Sequence, residues 1–272
     1  MWIKLFFLAV LQGVTEFLPV SSSGHLAVLS SLFGFDGDTG AAIGIMLHAG
    51  SLAAITVFYF KLLLGFFRRD QLPLLGMVIL GTIPAGIAGV LLKKSGVDAM
   101  LVGFMPVVGM GFLITAAVLR ISGREKLALH RGEAVDLKDI SWKQALAVGF
   151  AQMVAIIPGI SRSGTTISVG MISGIKREAA AAFSFLLAMP AIAGATLLEI
   201  LELCGDKQSA ANAVRPAEMI FAVAVSAVVS FLSLTFLIKI VRKGKLAVFG
   251  YYLFALGAAV LLRYFIGLLA SH

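Results

Sequence analysis

Two stretches of this chain gather the side chains that chemistry needs. The first is Gln12-Gly-Val-Thr-Glu-Phe-Leu-Pro-Val-Ser-Ser-Ser-Gly-His25, which carries the acid Glu16, the hydroxyls of Ser21, Ser22 and Ser23, and the imidazole of His25. The second is Gln152-Met-Val-Ala-Ile-Ile-Pro-Gly-Ile-Ser-Arg-Ser-Gly-Thr-Thr166, with Ser161, Ser163, Thr165, Thr166 and the guanidinium of Arg162. Both lie in very apolar surroundings, where an unpartnered polar group costs several kcal/mol. Polar groups at membrane depth are therefore functional candidates by default. Laid on one another, the stretches match Gln12 with Gln152, Ser21 with Ser161, Ser23 with Ser163 and Gly24 with Gly164.

Ser22 and His25 are three residues apart and share a face on one helical turn. A Ser–His pair runs nucleophilic catalysis, the histidine taking the serine proton. Two other roles stay open for His25: attack on phosphorus or acid to a leaving group, and a capping or pore-facing position. The hard carboxylate oxygens of Glu16 suit Mg²⁺ or Ca²⁺, with phosphate oxygens completing the shell. Gln12, one turn earlier on the same face, can add a neutral oxygen. The hydroxyls and glycines of both turns suit helix starts, which they cap. Free N–H groups at such starts also hold phosphate. Ser21, Ser23, Gly24, Ser161, Ser163, Gly164, Thr165 and Thr166 form the expected phosphate-binding set. Arg162 needs an anionic partner in a membrane region, and its planar fork suits phosphate. Glu16 is the rival partner, but a single acid leaves two Ser/Gly helix starts unexplained.

The elements that must position these groups follow from composition. Of 272 residues, 60% are hydrophobic and 13% charged, with mean hydropathy +1.01. A water-soluble domain is excluded, and so is a barrel with short alternating strands. The expected class is an all-α polytopic membrane protein in the bilayer. Six runs are long enough to span it: Ala41–Phe60, Pro73–Leu92, Leu101–Leu119, Ala180–Leu203, Ala217–Ile238 and Ala247–Leu269. Residues 2–35 and 145–175 are apolar but broken at their Pro/Ser/Gly turns. Each is expected to form a re-entrant helix hairpin. A signal-peptide reading of the N-terminus is rejected, because cleavage near Ser21–Gly24 would remove half of the paired motif.

With both hairpins entering and leaving on one side, fifteen of the 22 Lys and Arg residues fall on one face and five on the other. The basic face is the cytoplasmic one. The net charge of +8 is thus assigned to loops, with no nucleic-acid partner. The two halves, 1–119 and 144–272, become inverted repeats joined by a solvated cytoplasmic linker, 120–143. Gly44, Gly50, Gly81, Gly86 and Gly89 are expected at close helix approaches. Cys204 is the single cysteine, so no intrachain disulfide forms. His48 is expected to pack or face a cavity, with chemistry equally open. Glu199 and Glu202 are expected at an interface.

The two motifs and the whole-chain layout resemble the undecaprenyl pyrophosphate phosphatase family, also called the bacitracin-resistance protein. The resemblance implies a bacterial inner-membrane enzyme with its site opening to the periplasmic face. It implies removal of the terminal phosphate of undecaprenyl diphosphate, which recycles the carrier for peptidoglycan and cell-wall synthesis. Bacitracin would be affected indirectly, through competition for that substrate. A divalent cation is implied, with Glu16 as the principal ligand and Gln12, which stands where other members have Glu, as an auxiliary one. Ser22, His25, Arg162 and Glu16 take the catalytic positions. A second copy of the chain, as a homodimer, is a candidate partner. From another class, inverted repeats with broken helices also build transporters of anions or of the lipid carrier.

Overall fold

The computed structural model describes residues 1–33, 37–66, 68–96, 101, 104–123, 134–205 and 215–270. Within these, the chain is helical: α1 (Trp2–Thr15), α2 (Ser22–Phe33), α3 (Gly37–Phe58), α4 (Phe60–Gly65), α5 (Leu72–Ser95), α6 (Met105–Ser122), α7 (Trp142–Val154), α8 (Arg162–Ile172), α9 (Arg177–Gly205), α10 (Pro216–Arg242) and α11 (Ala247–Ala270). The described residues hold no strand beyond one isolated parallel bridge, Val135 to Ile175. Five helices are long and apolar enough to cross a membrane, corresponding to α5, α6, α9, α10 and α11. The protein is a multi-pass membrane protein. Leu47–Phe58 is a shorter apolar stretch within α3.

Both broken regions fold as two helices joined by a turn. α1 ends at Thr15, and Glu16 keeps one last helical bond from its N–H to the Gln12 carbonyl at 2.9 Å. The chain then turns through Pro19 to Ser21, whose φ is +67°. A left-handed residue with a Cβ costs about 1–2 kcal/mol. The second turn uses glycine instead: Gly159 has φ +88°, and a Cβ there would strike the Val108 carbonyl.

The helices pair in an exchanged pattern. α10 packs on α1 and α3, while α5 packs on α7 and α9. α11 packs on α6, and α9 meets α3 near the middle. Phe17, in the first turn, stands edge-on to Phe185 of α9, with centroids 5.5 Å apart. Phe112, Leu119, Leu234 and Leu253 are fully buried in the same cluster. The outer surface is apolar as well: Ile3, Ile220 and Leu269 are over 70% exposed, which only lipid makes affordable.

Several boundaries differ from those expected. α6 starts at Met105 rather than Leu101, because Pro106 sits in its first turn and proline favours that position. Residues 177–179, expected in a loop, open α9. Seven of the ten described linker residues, 134–143, are exposed, and the segment is also tied down at a few points. Val135 exchanges backbone bonds with Gly174 and Lys176 at 3.0 Å, Ile140 is buried, and Ser141 with Gln144 caps α7. Of the five glycines, Gly50 and Gly81 do sit at tight contacts, against Val223 and Leu187. Gly44, Gly86 and Gly89 meet no atom of the described residues within 4 Å. The side chains of Glu199, Glu202 and Cys204, and residues 124–133 of the linker, lie outside the described ones.

Candidate active site

Glu16 is the hub of the site. Its side chain is 5% exposed. Oε1 accepts a bond from Arg162 Nη2 at 2.6 Å. Oε2 accepts from Ser22 Oγ at 2.7 Å and from Gln12 Nε2 at 2.9 Å. His48 Nε2 stands 3.7 Å from the same oxygen. The last turn of α1, the first residues of α2 and α8, and the middle of α3 thus converge on one carboxylate. The Glu16–Arg162 pair ties the two broken regions together. Ser163 Oγ adds to the tie, donating to the Leu18 carbonyl at 3.1 Å.

A cleft of about 310 Å³ opens over this hub. Glu16, Ser21, Ser22, Ser23, His48, Ser161 and Arg162 line it, together with Ala191, Ile192 and Thr196 of α9. Arg162 Nη1, Gln12 Oε1 and Thr196 Oγ1 are buried without a protein partner. A buried donor of a charged group is costly when unmatched. The half-used guanidinium fork therefore suits an incoming oxyanion. A larger groove of about 590 Å³ between α4, α5 and α9 is lined almost wholly by apolar side chains such as Leu75, Ile79 and Met189, and offers no such chemistry.

The residues named from sequence divide into two groups. Glu16, Ser22, Arg162, Ser21, Ser23 and Ser161 line the cleft. Gln12 meets Glu16 from below the cleft lining, and the others are engaged elsewhere. Thr165 Oγ1 donates to the Ser161 carbonyl at 2.7 Å, and Thr166 Oγ1 to the Arg162 carbonyl at 2.6 Å. Thr166 also bonds Ser184 at 2.6 Å. Gly24 is held against Phe112 and Gly164 against Thr115 and Pro19. These four secure the turns and do not line the cleft.

The expected Ser22–His25 pair is not formed. α2 begins at Ser22, so His25 lies one turn in, and its Nδ1 reaches back to donate to the Ser21 carbonyl at 2.8 Å. Nε2 meets the Tyr252 hydroxyl at 2.7 Å, and the two rings stack. Thr165 caps Ser161 in the same way, so matched positions of the two motifs do the same structural work. Tyr252 is the partner that sequence did not single out, and His48, expected to pack or face a cavity, lines the cleft. Both sit in ordinary apolar helices, and only the fold brings them to the motif.

The donors around Glu16 also test the implied cation. Among the described residues no three His, Cys, Asp or Glu side chains converge. One carboxylate, the unpartnered Gln12 oxygen and the Ser22 hydroxyl are too few for a closed cage. They fit a divalent cation that shares its shell with phosphate oxygens.

Fold and site together define a polytopic helical membrane protein with a buried acid–guanidinium–hydroxyl centre at the junction of two broken helical regions. The chain belongs to the family described as Bacitracin resistance protein BacA, which matches residues 5–259. It is similar to the Undecaprenyl-diphosphatase of Methanosphaera stadtmanae, 38% identical over 92% of this chain and 93% of that protein. It is also similar to Undecaprenyl-diphosphatase 3 of Bacillus cereus, at 34% over 97% and 98%. The Undecaprenyl-diphosphatase of Halothermothrix orenii is 36% identical over 95% and 96%.

Proposed function

We propose that this chain hydrolyses undecaprenyl diphosphate to undecaprenyl phosphate and inorganic phosphate, recycling the carrier for wall synthesis. Turnover of the diphosphate would remove the target of bacitracin and so confer resistance. Family membership and the names of three relatives support the activity. The observation that carries the site assignment is the Arg162–Glu16–Ser22 chain of hydrogen bonds, at 2.6 and 2.7 Å, across the two turns.

In this reading the diphosphate enters the cleft and its isoprenoid tail stays in lipid. Arg162 Nη1 and the helix starts of α2 and α8 bind the terminal phosphoryl group. Ser22 Oγ, its proton directed at Glu16 Oε2, attacks the terminal phosphorus as the phosphoanhydride P–O bond breaks. Undecaprenyl phosphate leaves, and water releases phosphate from the serine. His25 holds the Ser21 carbonyl, and with it the turn, rather than activating Ser22. Mg²⁺ or Ca²⁺ would be held by Glu16 and Gln12, where it neutralises phosphate charge.

The finer topology is part of the proposal: six spans with two re-entrant hairpins, related as inverted repeats. The exchanged packing of α10 on α1 and of α5 on α7 supports it. The basic residues Lys61, Arg68, Arg69, Lys239, Arg242, Lys243 and Lys245 support a cytoplasmic side for their connections. The protein then sits in the inner membrane with the cleft facing outward.

The test is phosphate release from undecaprenyl diphosphate by the purified protein in detergent, with Mg²⁺ or Ca²⁺ and then with a chelator. Release that stops on chelation is expected. A folded protein that releases none overturns the reading in favour of transport of the lipid carrier or an anion, which needs a sealed membrane.

A further inference from the structure

Among the described residues that meet Glu16, His48 is the polar side chain that the hydrolytic scheme leaves unused. Its ring is fixed at one end: Nδ1 donates to the Gly44 carbonyl at 2.8 Å. That bond places the remaining lone pair of a neutral ring on Nε2. Nε2 faces Glu16 Oε2 at 3.7 Å. That oxygen already accepts from Ser22 and Gln12. A lone pair facing a carboxylate oxygen is repelled unless a proton or a cation lies between them, and 3.7 Å is longer than a hydrogen bond. Arg162 is not that group, since it is on Oε1.

The geometry points to His48 as a ligand of the cation at Glu16. This rests on the phosphatase reading and changes the character of its metal site. Two bonds of about 2.1 Å reach across at most about 4.2 Å, so one ion can bridge Nε2 and Oε2. A backbone carbonyl on the far ring nitrogen is the usual support of a metal-bound histidine. Gln12 is suited to the same ion. Its amide N–H now points at Oε2, while Oε1 is buried and unpartnered. Turning that amide over brings an oxygen toward the ion in place of an N–H. The ligand set becomes Glu16 Oε2, His48 Nε2 and Gln12 Oε1, with Ser22 Oγ adjacent. An imidazole donor favours first-row transition cations over Mg²⁺ and Ca²⁺, which prefer oxygen.

The probe is Mn²⁺ alone, added to purified protein in detergent without substrate. Binding is followed by electron paramagnetic resonance, and the pulsed spectrum is read for ¹⁴N coupling. Wild type is expected to bind Mn²⁺ more tightly than Mg²⁺ or Ca²⁺ and to show imidazole coupling. His48→Gln is expected to lose the coupling and at least about tenfold in Mn²⁺ affinity. His48→Asp is expected to shift preference toward Mg²⁺ and Ca²⁺. The wild-type spectrum stands even if a variant fails to fold. Bound Mn²⁺ without nitrogen coupling, coupling that persists in His48→Gln, or no bound Mn²⁺ overturns the inference. Phosphate release measured in parallel separates the two readings. Release with a nitrogen-free ion sinks only the role of His48, and absence of release sinks the phosphatase itself.

Discussion

At the scale of single residues, the site is a carboxylate with its two oxygens divided between tasks. Oε1 of Glu16 holds Arg162, and Oε2 holds Ser22 and Gln12. In the proposed mechanism Ser22 is the group whose loss removes chemistry, and His25 one whose loss disturbs a turn. Ser22→Ala is expected to lower phosphate release at least about 10³-fold, the scale on which nucleophile deletions act. Tyr252→Phe removes one hydrogen bond to His25, worth about 1 kcal/mol, and is expected to cost less than about tenfold. Steady-state kinetics on the two variants checks both figures. Near-normal turnover by Ser22→Ala would sink the serine mechanism. Much of this centre was readable from sequence, because an acid, a serine cluster and an arginine stand out against apolar neighbours. The Ser22–His25 pair was misread, because three-residue spacing says that two side chains share a face but not which way a ring turns. The Ser21 carbonyl, which also accepts the His25 backbone N–H at 3.3 Å, holds Nδ1.

At the scale of elements, the two broken regions have turns that are built differently. The first places Ser21 in the left-handed region, and the second uses Gly159 there. Replacing Ser21 by glycine relieves about 1 kcal/mol of strain but also removes an Oγ that meets Ser23 at 3.3 Å. Gly159→Ala meets both a positive φ and the Val108 carbonyl. It is expected to destabilise the protein by more than about 1 kcal/mol, seen as a lower Tm, and to reduce activity by shifting Arg162 at the start of α8. An unchanged Tm would mean that α6 yields at Val108 and the turn is not the rigid support described. The paired Ser/Gly motifs revealed both turns in the sequence. The division of labour among their hydroxyls was not visible there. Thr165 and Thr166 look like phosphate ligands until the helix shows them bonded to their own backbone.

At the scale of the whole molecule, apolar runs and basic loops were enough to show a multi-pass helical protein. The exchanged packing was beyond their reach, since the choice of α10 over α5 as the cover for α1 depends on contacts such as Gly13 against Val229. The orientation makes a prediction of its own. In a Cys204→Ser background, a cysteine placed at Arg68 is expected to react with an impermeant maleimide only from the cytoplasmic side, and one at Gly96 only from outside. Labelling of both from one side would contradict α5 as a membrane span.

The central claim is that the two turns form one phosphate site through Glu16 and Arg162. The most direct measurement is a double-mutant cycle on phosphate release from undecaprenyl diphosphate, using Glu16→Gln, Arg162→Ala and the pair together. Each single change is expected to cost at least about 10²-fold, and the double no more than roughly the worse single, because groups acting as a unit fail together. Losses that multiply, or a single variant with wild-type turnover, would contradict the account.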